Sequence, residues 1–392
     1  MRYCAITGRP LSHGLSTGWP FWGGACEWWP VWALLGGVVT TDLLAATAEL
    51  VDVASVSYHE GAIADLIEGR LRDVPALAVH RVGDNVVART ELGRPIRVLI
   101  GGHSDTVPPN GNAAARIDGD VLWGLGAADM KAALAVMLDL AATLPEPAVD
   151  VTWLVYAREE VRVTDSGLRE LFDVHPDLLA ADVAILGEPT GGAVEAGCQG
   201  SMRAVVKMAG ARAHTARPWM GVNAIHRLGS LLALVDAYEP RMPEIDGCQY
   251  RESLQAVAIG GGVAGNVVPD SAEVTVGYRY APDREAEAAE AALRELLAPA
   301  MGDNDHFEVT EHSPAALPGL GHPVLQRLIG DNRLEVKAKL GWTDVAFFAE
   351  RGVPAANYGP GDSTLAHTAE ERVDRAAVES YKSCLEALLT VG

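Results

Sequence analysis

Two histidines and a set of carboxylates, spread from His103 to His367, are the residues of this chain whose types and settings suit hydrolytic chemistry. His103 follows the apolar run Arg97-Val98-Leu99-Ile100-Gly101-Gly102, and Asp105 stands two residues beyond it. An aspartate so placed can accept the second ring N–H, which fixes the tautomer and raises the basicity of a metal-bound nitrogen. Asp129 opens an apolar helical pattern that runs to about Leu144, a position for an N-cap and for a group aimed back at a sheet. Glu159-Glu160 follow Trp153-Leu154-Val155-Tyr156-Ala157-Arg158, Glu188 follows Val183-Ala184-Ile185-Leu186-Gly187, and His367 follows Gly359-Pro360-Gly361-Asp362. Imidazole and carboxylate donors suit zinc or a similar divalent ion. Two histidines, a bridging aspartate and two glutamates suit two ions about 3.5–4 Å apart, an arrangement that activates water for attack. One carboxylate is then left over. The side chains of a Glu-Glu pair diverge, so one can bind metal while its neighbour takes a proton. Each residue also has a plain structural reading: a charged turn at Glu159-Glu160, a cap at Asp129, a solvated Glu188 before Pro189, an exposed loop histidine at His367. The joint pattern outweighs these.

The elements that must position such residues are legible in outline. Short apolar runs that stop at glycine or charge suit the central strands of a parallel sheet, and ligands gather beyond the carboxyl ends of those strands. From Thr40 to about Gly200 strands alternate with helical stretches at 41–52, 62–71 and 130–144, which predicts an α/β fold with a mostly parallel sheet flanked by helices. The order then becomes strand 202–208, helix 222–238, strands 254–259 and 273–280, helix 284–297 and strand 307–311. That is βαββαβ, the order of a ferredoxin-like α+β unit. It is inserted, because His367 lies beyond it and must return to the first domain. The expected boundaries are a first domain at 39–200 and 314–392, closed by a C-terminal helix at 374–389, and an inserted domain at 201–313.

Composition excludes several classes of function. Asp and Glu number 52 against 31 Lys and Arg, a formal charge of −21 that opposes binding to nucleic acid or anionic membranes. Five cysteines without a Cys-x-x-Cys spacing indicate reduced thiols in a cytoplasmic protein. Residues 1–38 differ from the rest, with Trp19-Pro20-Phe21-Trp22 and Trp28-Trp29-Pro30-Val31-Trp32 in a span broken by proline and glycine. Glu27, Pro20 and Pro30 count against a membrane-spanning helix, and the parts of a signal peptide do not follow in order. We expect an extension outside the fold, with an interfacial anchor as the lesser alternative.

The segments Gly102-His103-Ser104-Asp105-Thr106-Val107-Pro108, Gly126-Ala127-Ala128-Asp129-Met130-Lys131, Glu159-Glu160 and Gly187-Glu188-Pro189-Thr190, with the late His367, together resemble the motif set of the two-zinc aminoacylase and carboxypeptidase family. The resemblance runs from about Thr40 to the C-terminus. It implies two zinc ions, with cobalt able to substitute: His103 and Glu188 on one, Glu160 and His367 on the other, and Asp129 bridging. It further implies Glu159 as general acid/base and Asp105 as the group that orients His103. The expected reaction is hydrolysis of an amide joining an acyl group to an amino acid, with N-succinyl-LL-2,6-diaminopimelate as the small-molecule substrate. Arg279 matches a carboxylate-binding arginine, whose fork suits that task better than lysine, and Asn266 and Thr343 are further candidates for substrate contact. The family also implies that the first domain, 39–200 and 314–392, is the catalytic domain and that the inserted one, 201–313, is a lid and dimerisation domain. It implies a homodimer through the inserted domain, in which His214 of the loop Ala213-His214-Thr215-Ala216-Arg217-Pro218 reaches the other subunit's active site. Leu125, Ala132 and Gln199 stand where arginine, glycine and asparagine are usual. None of the three is a ligand, and they bear on substrate preference. The rival readings are a sister amidohydrolase, such as an acetylornithine deacetylase or a dipeptidase, and a non-catalytic metal-stabilised binding protein. The last would have no need of Glu159 beside Glu160.

Overall fold

The computed structural model describes residues 42–391, so the expected extension at 1–38, with Cys4 and Cys26, lies outside the described residues. Helices α1 (Leu43–Val51) and α2 (Gly61–Arg72) lead into strands β1 (Ala78–Val82), β2 (Asn85–Arg89) and β3 (Arg97–His103). A short pair, β4 (Arg116–Asp118) and β5 (Val121–Trp123), is followed by α3 (Ala132–Thr143), β6 (Asp150–Tyr156), α4 (Gly167–Val174), β7 (Val183–Leu186) and β8 (Val194–Ala196). The chain then builds β9 (Gly200–Ala209), α5 (Ala224–Asp236), β10 (Glu244–Ile245), β11 (Cys248–Gln249), β12 (Ser253–Gly261), β13 (Ser271–Tyr280), α6 (Ala286–Leu297) and β14 (His306–Ser313). It returns through α7 (Pro323–Asn332), β15 (Val336–Ala338), α8 (Val345–Ala349), β16 (Ala355–Asn357), β17 (Arg372–Asp374) and α9 (Arg375–Thr390).

The larger sheet has the order β1-β2-β6-β3-β7-β16-β8-β15. Strand β3 runs parallel to β6 and β7, β16 to β7, and β15 to β8, while the β1/β2, β2/β6 and β16/β8 pairs are antiparallel. Side chains on adjacent positions of a strand point to opposite faces, and here both faces are covered. Val98 and Ile100 pack into one core with α1, α2, α3, α7 and α9, and Leu99 packs into the other with α4 and α8. Both faces being dry, every position of the run must be apolar, which is why β3, β6 and β7 read as continuous hydrophobic stretches. Truncating Leu99 to alanine costs about 2–5 kcal/mol by the usual cavity rule.

The second sheet, β12-β13-β9-β14, is antiparallel throughout and sits between β8 and α7 in the chain. With α5 between β9 and β12, and α6 between β13 and β14, this is the ferredoxin-like order expected. Met202, Ala204, Val206 and Met208 of β9 face the helices and pack with Leu228, Leu231 and Leu293, while Arg203 and Lys207 on the alternate positions are exposed. Strand β12 is an edge, with Val257 and Ile259 exposed.

One expectation is corrected. The helix opens at Ala132, and Asp129 caps nothing: residues 127–131 form an irregular turn in which Asp129 (φ −123°, ψ 89°) and Met130 (φ −138°, ψ 36°) leave helical geometry. The departure lets the Asp129 carboxylate turn toward histidines instead of the helix amides. The hairpin β1–β2 and the small sheet β17-β5-β4 also stand outside the elements expected, since they carry no apolar run like that of β3. Among the described residues no helix is long and apolar enough to cross a membrane.

Candidate active site

Strand β3 ends on His103, whose side chain is buried. Its Nε2 lies 3.0 Å from Asp129 Oδ1. His367 Nε2 lies 3.6 Å from Asp129 Oδ2 and 2.7 Å from Glu160 Oε1. Asp129 thus stands between two imidazoles, one facing each of its oxygens. The turn that presents it is held by buried Glu371, whose Oε1 accepts the N–H groups of Ala128 and Asp129, both at 3.1 Å. A Cβ on Gly361 would lie 2.2 Å from the Ala128 carbonyl oxygen. Only glycine therefore lets the chain leading to His367 cross so close to this turn. Burial alone would lower the His103 pKa, but its hydrogen bonds with Asp105 and Asp129 hold it well above the ordinary range. Pairing with Asp129 and Glu160 pushes His367 up to about 10.

His103 Nδ1 lies 3.1 Å from the backbone oxygen of Asp105 and 3.5 Å from its Oδ1, so the contact expected of the carboxylate is the longer of the two. That carboxylate is engaged elsewhere. Oδ1 accepts the Glu159 N–H at 3.0 Å, and Oδ2 accepts the Glu160 N–H at 3.1 Å and the Ser57 hydroxyl at 2.7 Å. Asp105 is therefore the joint between the histidine and the glutamate pair. From this anchor the two glutamates part: Glu160 faces His367, while Glu159 lies where burial and the charges of Glu188 and Asp344 push its carboxyl well above the ordinary range.

Glu188, carried just past β7, is buried, and its Oε1 has no protein partner among the described residues. Burial and the nearby Asp129 charge push its pKa up to about 7. Asp344 is buried beside the same group, with Oδ2 lacking a partner among the described residues, and burial pushes it up to about 7. The donor set fits divalent metal ions. His103, Asp129 and Glu160 each offer a ligand atom, all within 4.8 Å of one another. Glu188 supplies a buried orphan oxygen, and carboxylates crowded in this way repel one another unless cations neutralise them. Imidazole nitrogen and carboxylate oxygen are the donors that zinc and its neighbours accept.

The other expected residues are placed apart from this cluster. Arg279 lies on β13, half-buried and with no carboxylate pairing to it among the described residues; burial and the charge of Arg203 lower its pKa. Asn266 and His214 meet on exposed loops of the second sheet. The Thr215 N–H donates to the Asn266 backbone oxygen at 3.1 Å, His214 bridges to Val267, and the Ala216 N–H donates to His214 Nδ1 at 3.0 Å. Among the described residues no hydrogen bond or ion pair joins His214, Asn266 or Arg279 to the His103 group. Thr343 is buried next to Asp344, and its hydroxyl accepts from Asn357 Nδ2 at 3.1 Å. Sequence reasoning passed over Asp344 and Glu371. Asp344 was within reach, since it directly follows Thr343; nothing in the composition around Glu371 distinguishes it from a surface acid.

Residues 99–391 match the profile of peptidase family M20/M25/M40. A Mycobacterium tuberculosis protein that carries the provisional name succinyl-diaminopimelate desuccinylase DapE is 49% identical over 333 residues, covering 85% of this chain and 93% of its own. A Corynebacterium glutamicum protein named succinyl-diaminopimelate desuccinylase is 42% identical over 355 residues, covering 89% of this chain and 96% of its own. The crystal structure of a dinuclear metal-binding peptidase of the M20 family from Bacillus subtilis aligns with a TM-score of 0.67 at 15% identity, over 89% of this chain and 96% of that one, a likeness of fold. The family profile extends from within β3 to α9, across every strand end described above and the return to His367, and the chain accordingly belongs to peptidase family M20/M25/M40.

Proposed function

We propose that this protein hydrolyses the succinyl amide of N-succinyl-LL-2,6-diaminopimelate, releasing succinate and LL-2,6-diaminopimelate, a step in making diaminopimelate and lysine. The observation that carries this reading is the identity of 49% and 42%, over most of both chains, to relatives named for that activity. His103 and Glu188 would hold one divalent ion and Glu160 and His367 the other, with Asp129 shared between them; zinc would be the ion, with cobalt as a substitute. Ions bound by these residues would polarise the scissile carbonyl and lower the pKa of water toward neutrality.

The remaining steps belong to side chains of this protein. Glu159 takes a proton from the attacking water and returns it to the departing amine nitrogen, a double task suited to a carboxyl whose pKa lies above the ordinary range. Asp105 orients His103 and, through two amides, both glutamates. Arg279, whose guanidinium pairs with no carboxylate among the described residues, offers two parallel N–H donors to the two oxygens of a substrate carboxylate, and Thr343 and Asn266 offer polar contacts. Residues 39–200 and 314–392 form the catalytic domain, and 201–313 the lid and dimerisation domain. The exposed Val257 and Ile259 of β12, an edge of its sheet among the described residues, support a symmetric pairing of two copies, in which His214 serves the other subunit's site. Five cysteines without a Cys-x-x-Cys spacing support residence in the cytoplasm, and the charge of −21 opposes binding to nucleic acid or anionic membranes.

The test is steady-state kinetics of the purified, metal-loaded protein on N-succinyl-LL-2,6-diaminopimelate, N-acetylornithine and a set of dipeptides. The succinylated substrate is expected to have the highest kcat/KM by at least about tenfold, a difference of ~1.4 kcal/mol in transition-state binding. A preference for the acetylated amino acid or a dipeptide overturns the reading.

A further inference from the structure

Four consecutive backbone amides, from Ala157 to Glu160, carry the chain out of β6 and into the pair of glutamates. Each is held by a side-chain oxygen. The Ala157 N–H donates to Asn85 Oδ1 at 2.9 Å, the Arg158 N–H to Glu60 Oε1 at 3.1 Å, and the Glu159 and Glu160 N–H groups to the two oxygens of Asp105 at 3.0 and 3.1 Å. Amides leaving a sheet must find acceptors, but water or backbone usually supplies them at a surface turn. Here three separate side chains, from the start of α2, from β2 and from the end of β3, converge on one four-residue stretch.

Glu60 and Asn85 are fully buried. Glu60 occupies the N-cap position of α2, yet its side chain caps no amide of that helix. Its Oε1 instead accepts from Tyr58 N–H at 3.0 Å and Arg158 N–H at 3.1 Å. Burying a carboxyl group is costly unless it is hydrogen-bonded, and the two N–H groups it accepts here tie the Tyr58 turn to the segment that leads into Glu159. Arg158 adopts a left-handed backbone (φ 60°), unfavourable for a residue with a Cβ, directly before Glu159. Its side chain reinforces that shape, donating from Nε to the Asp165 carbonyl at 2.8 Å and pairing with Glu170 Oε2 at 2.5 Å. The same Glu170 oxygen accepts from Asn85 Nδ2 at 3.3 Å. Room for Asn85 is kept by Gly167, where a Cβ would lie 2.1 Å from Asn85 Oδ1.

We propose that Glu60 and Asn85 are positioning residues for the hydrolysis: they fix the backbone from Ala157 to Arg158 so that Glu159 faces the reacting water while Glu160 faces His367. The proposal rests on the assignment of Glu159 as the proton carrier. Among the described residues neither side chain hydrogen-bonds to His103, Asp129, Glu159, Glu160, Glu188 or His367. Each acts through the main chain that the two glutamates share.

The test compares Glu60→Ala, Glu60→Gln, Asn85→Ala and Glu159→Gln in the full-length, metal-loaded protein, with kcat, KM, bound metal and thermal stability measured for each. For Glu60→Ala we expect kcat to fall ~10- to 100-fold, the scale of a small misplacement at a reacting centre, with KM within about threefold and metal content as in the parent. Glu60→Gln keeps an oxygen for both N–H groups and is expected to recover most of kcat. Asn85→Ala should behave as Glu60→Ala does, and it carries the test alone if Glu60→Ala does not fold. Parental kcat per folded, metal-loaded molecule in either alanine variant overturns the proposal, as does a Glu60→Gln protein no more active than Glu60→Ala. Glu159→Gln separates the two readings. If it keeps full kcat, the assignment of Glu159 fails; if it is inactive while the alanine variants are normal, only the positioning role fails.

Discussion

His367 Nε2 lies 2.7 Å from Glu160 Oε1 although 207 residues separate the two. Between them the chain leaves the larger sheet after β8, builds the whole antiparallel unit and comes back through β15 and β16. The contact therefore exists only when the return segment is seated, with Gly361 against Ala128 and the Ala128 and Asp129 amides on Glu371. On the proposed ligand assignment, metal affinity and the docking of this late segment should be coupled.

Removal of divalent metal is expected to abolish turnover, and zinc or cobalt to restore it. His367→Ala should retain one ion per chain with reduced affinity and lose the second, because His103, Glu188 and Asp129 remain. Metal stoichiometry by plasma emission, read beside activity on the same samples, checks this; full activity in a verified metal-free preparation rules out the metal-dependent mechanism.

Glu159→Gln is expected to keep parental metal content and lose ~10²–10⁴-fold in kcat, the usual contribution of a general base. Glu160→Gln, which removes a charge 2.7 Å from His367, should weaken metal binding as well as turnover. Reversal of the two metal contents would exchange the roles of the pair.

The sequence carried the strands of the site well, because β3, β6 and β7 are buried on both faces and so have no polar positions to blur the pattern. It also carried the order of the inserted sheet, whose β9 and β13 alternate buried and open positions along their length. The turn at Asp129 was not legible, since Ala127-Ala128-Asp129-Met130-Lys131 has the composition of a helix start and the kink is imposed from outside by Glu371 and by the two histidines. Nor was the work of Asp105. A carboxylate two residues past a histidine suggests a contact with that ring, whereas its oxygens are taken by amides more than fifty positions along the chain. Asn85 and Glu60 lie in a hairpin and at a helix start with nothing in their neighbours to mark them. Their role depends on where β6 ends in space.

Asp305 gives a prediction about the stability of the inserted unit. Arg227 forks its carboxylate, Nη1 to Oδ1 at 2.7 Å and Nη2 to Oδ2 at 2.6 Å, and the Ala209 and Gly302 amides each donate to it at 2.8 Å. Burial opposes ionisation, but these donors outweigh it and hold the pKa below the ordinary value. A carboxyl depressed in the folded state adds stability above its unfolded pKa of ~3.9, and that stability is lost as pH falls through the lower folded value. Asp305→Asn should therefore destabilise the protein at neutral pH by about 1–3 kcal/mol. The gap between the two proteins should narrow as pH falls below ~4. Thermal melts of both across pH check the sign; a gap that widens with acid contradicts it.

The last prediction concerns His214. Its ring accepts only a local amide, that of Ala216, and its loop is tied to the Asn266 loop through Thr215 and Val267, on the antiparallel unit and without a hydrogen bond to the His103 group among the described residues. A histidine so placed is free to serve a second copy. In the proposed dimer the two copies would pair about a twofold axis along β12, an edge of its sheet among the described residues. The chemistry gives the histidine a task, because the tetrahedral intermediate carries an oxyanion and a preorganised donor aimed at it contributes ~2.7–4 kcal/mol. His214→Ala and Glu159→Ala are each expected to be nearly inactive as homodimers. When the two are mixed, partly unfolded and re-annealed, a hybrid dimer has one site with both groups intact, and about a quarter of parental activity should return, since roughly half of the dimers are hybrids with one working site of two. Recovery proportional to the hybrid fraction, measured by differential tagging, supports the shared site. Hybrids formed in the expected amount with no recovery would place His214 in its own subunit's chemistry or in none.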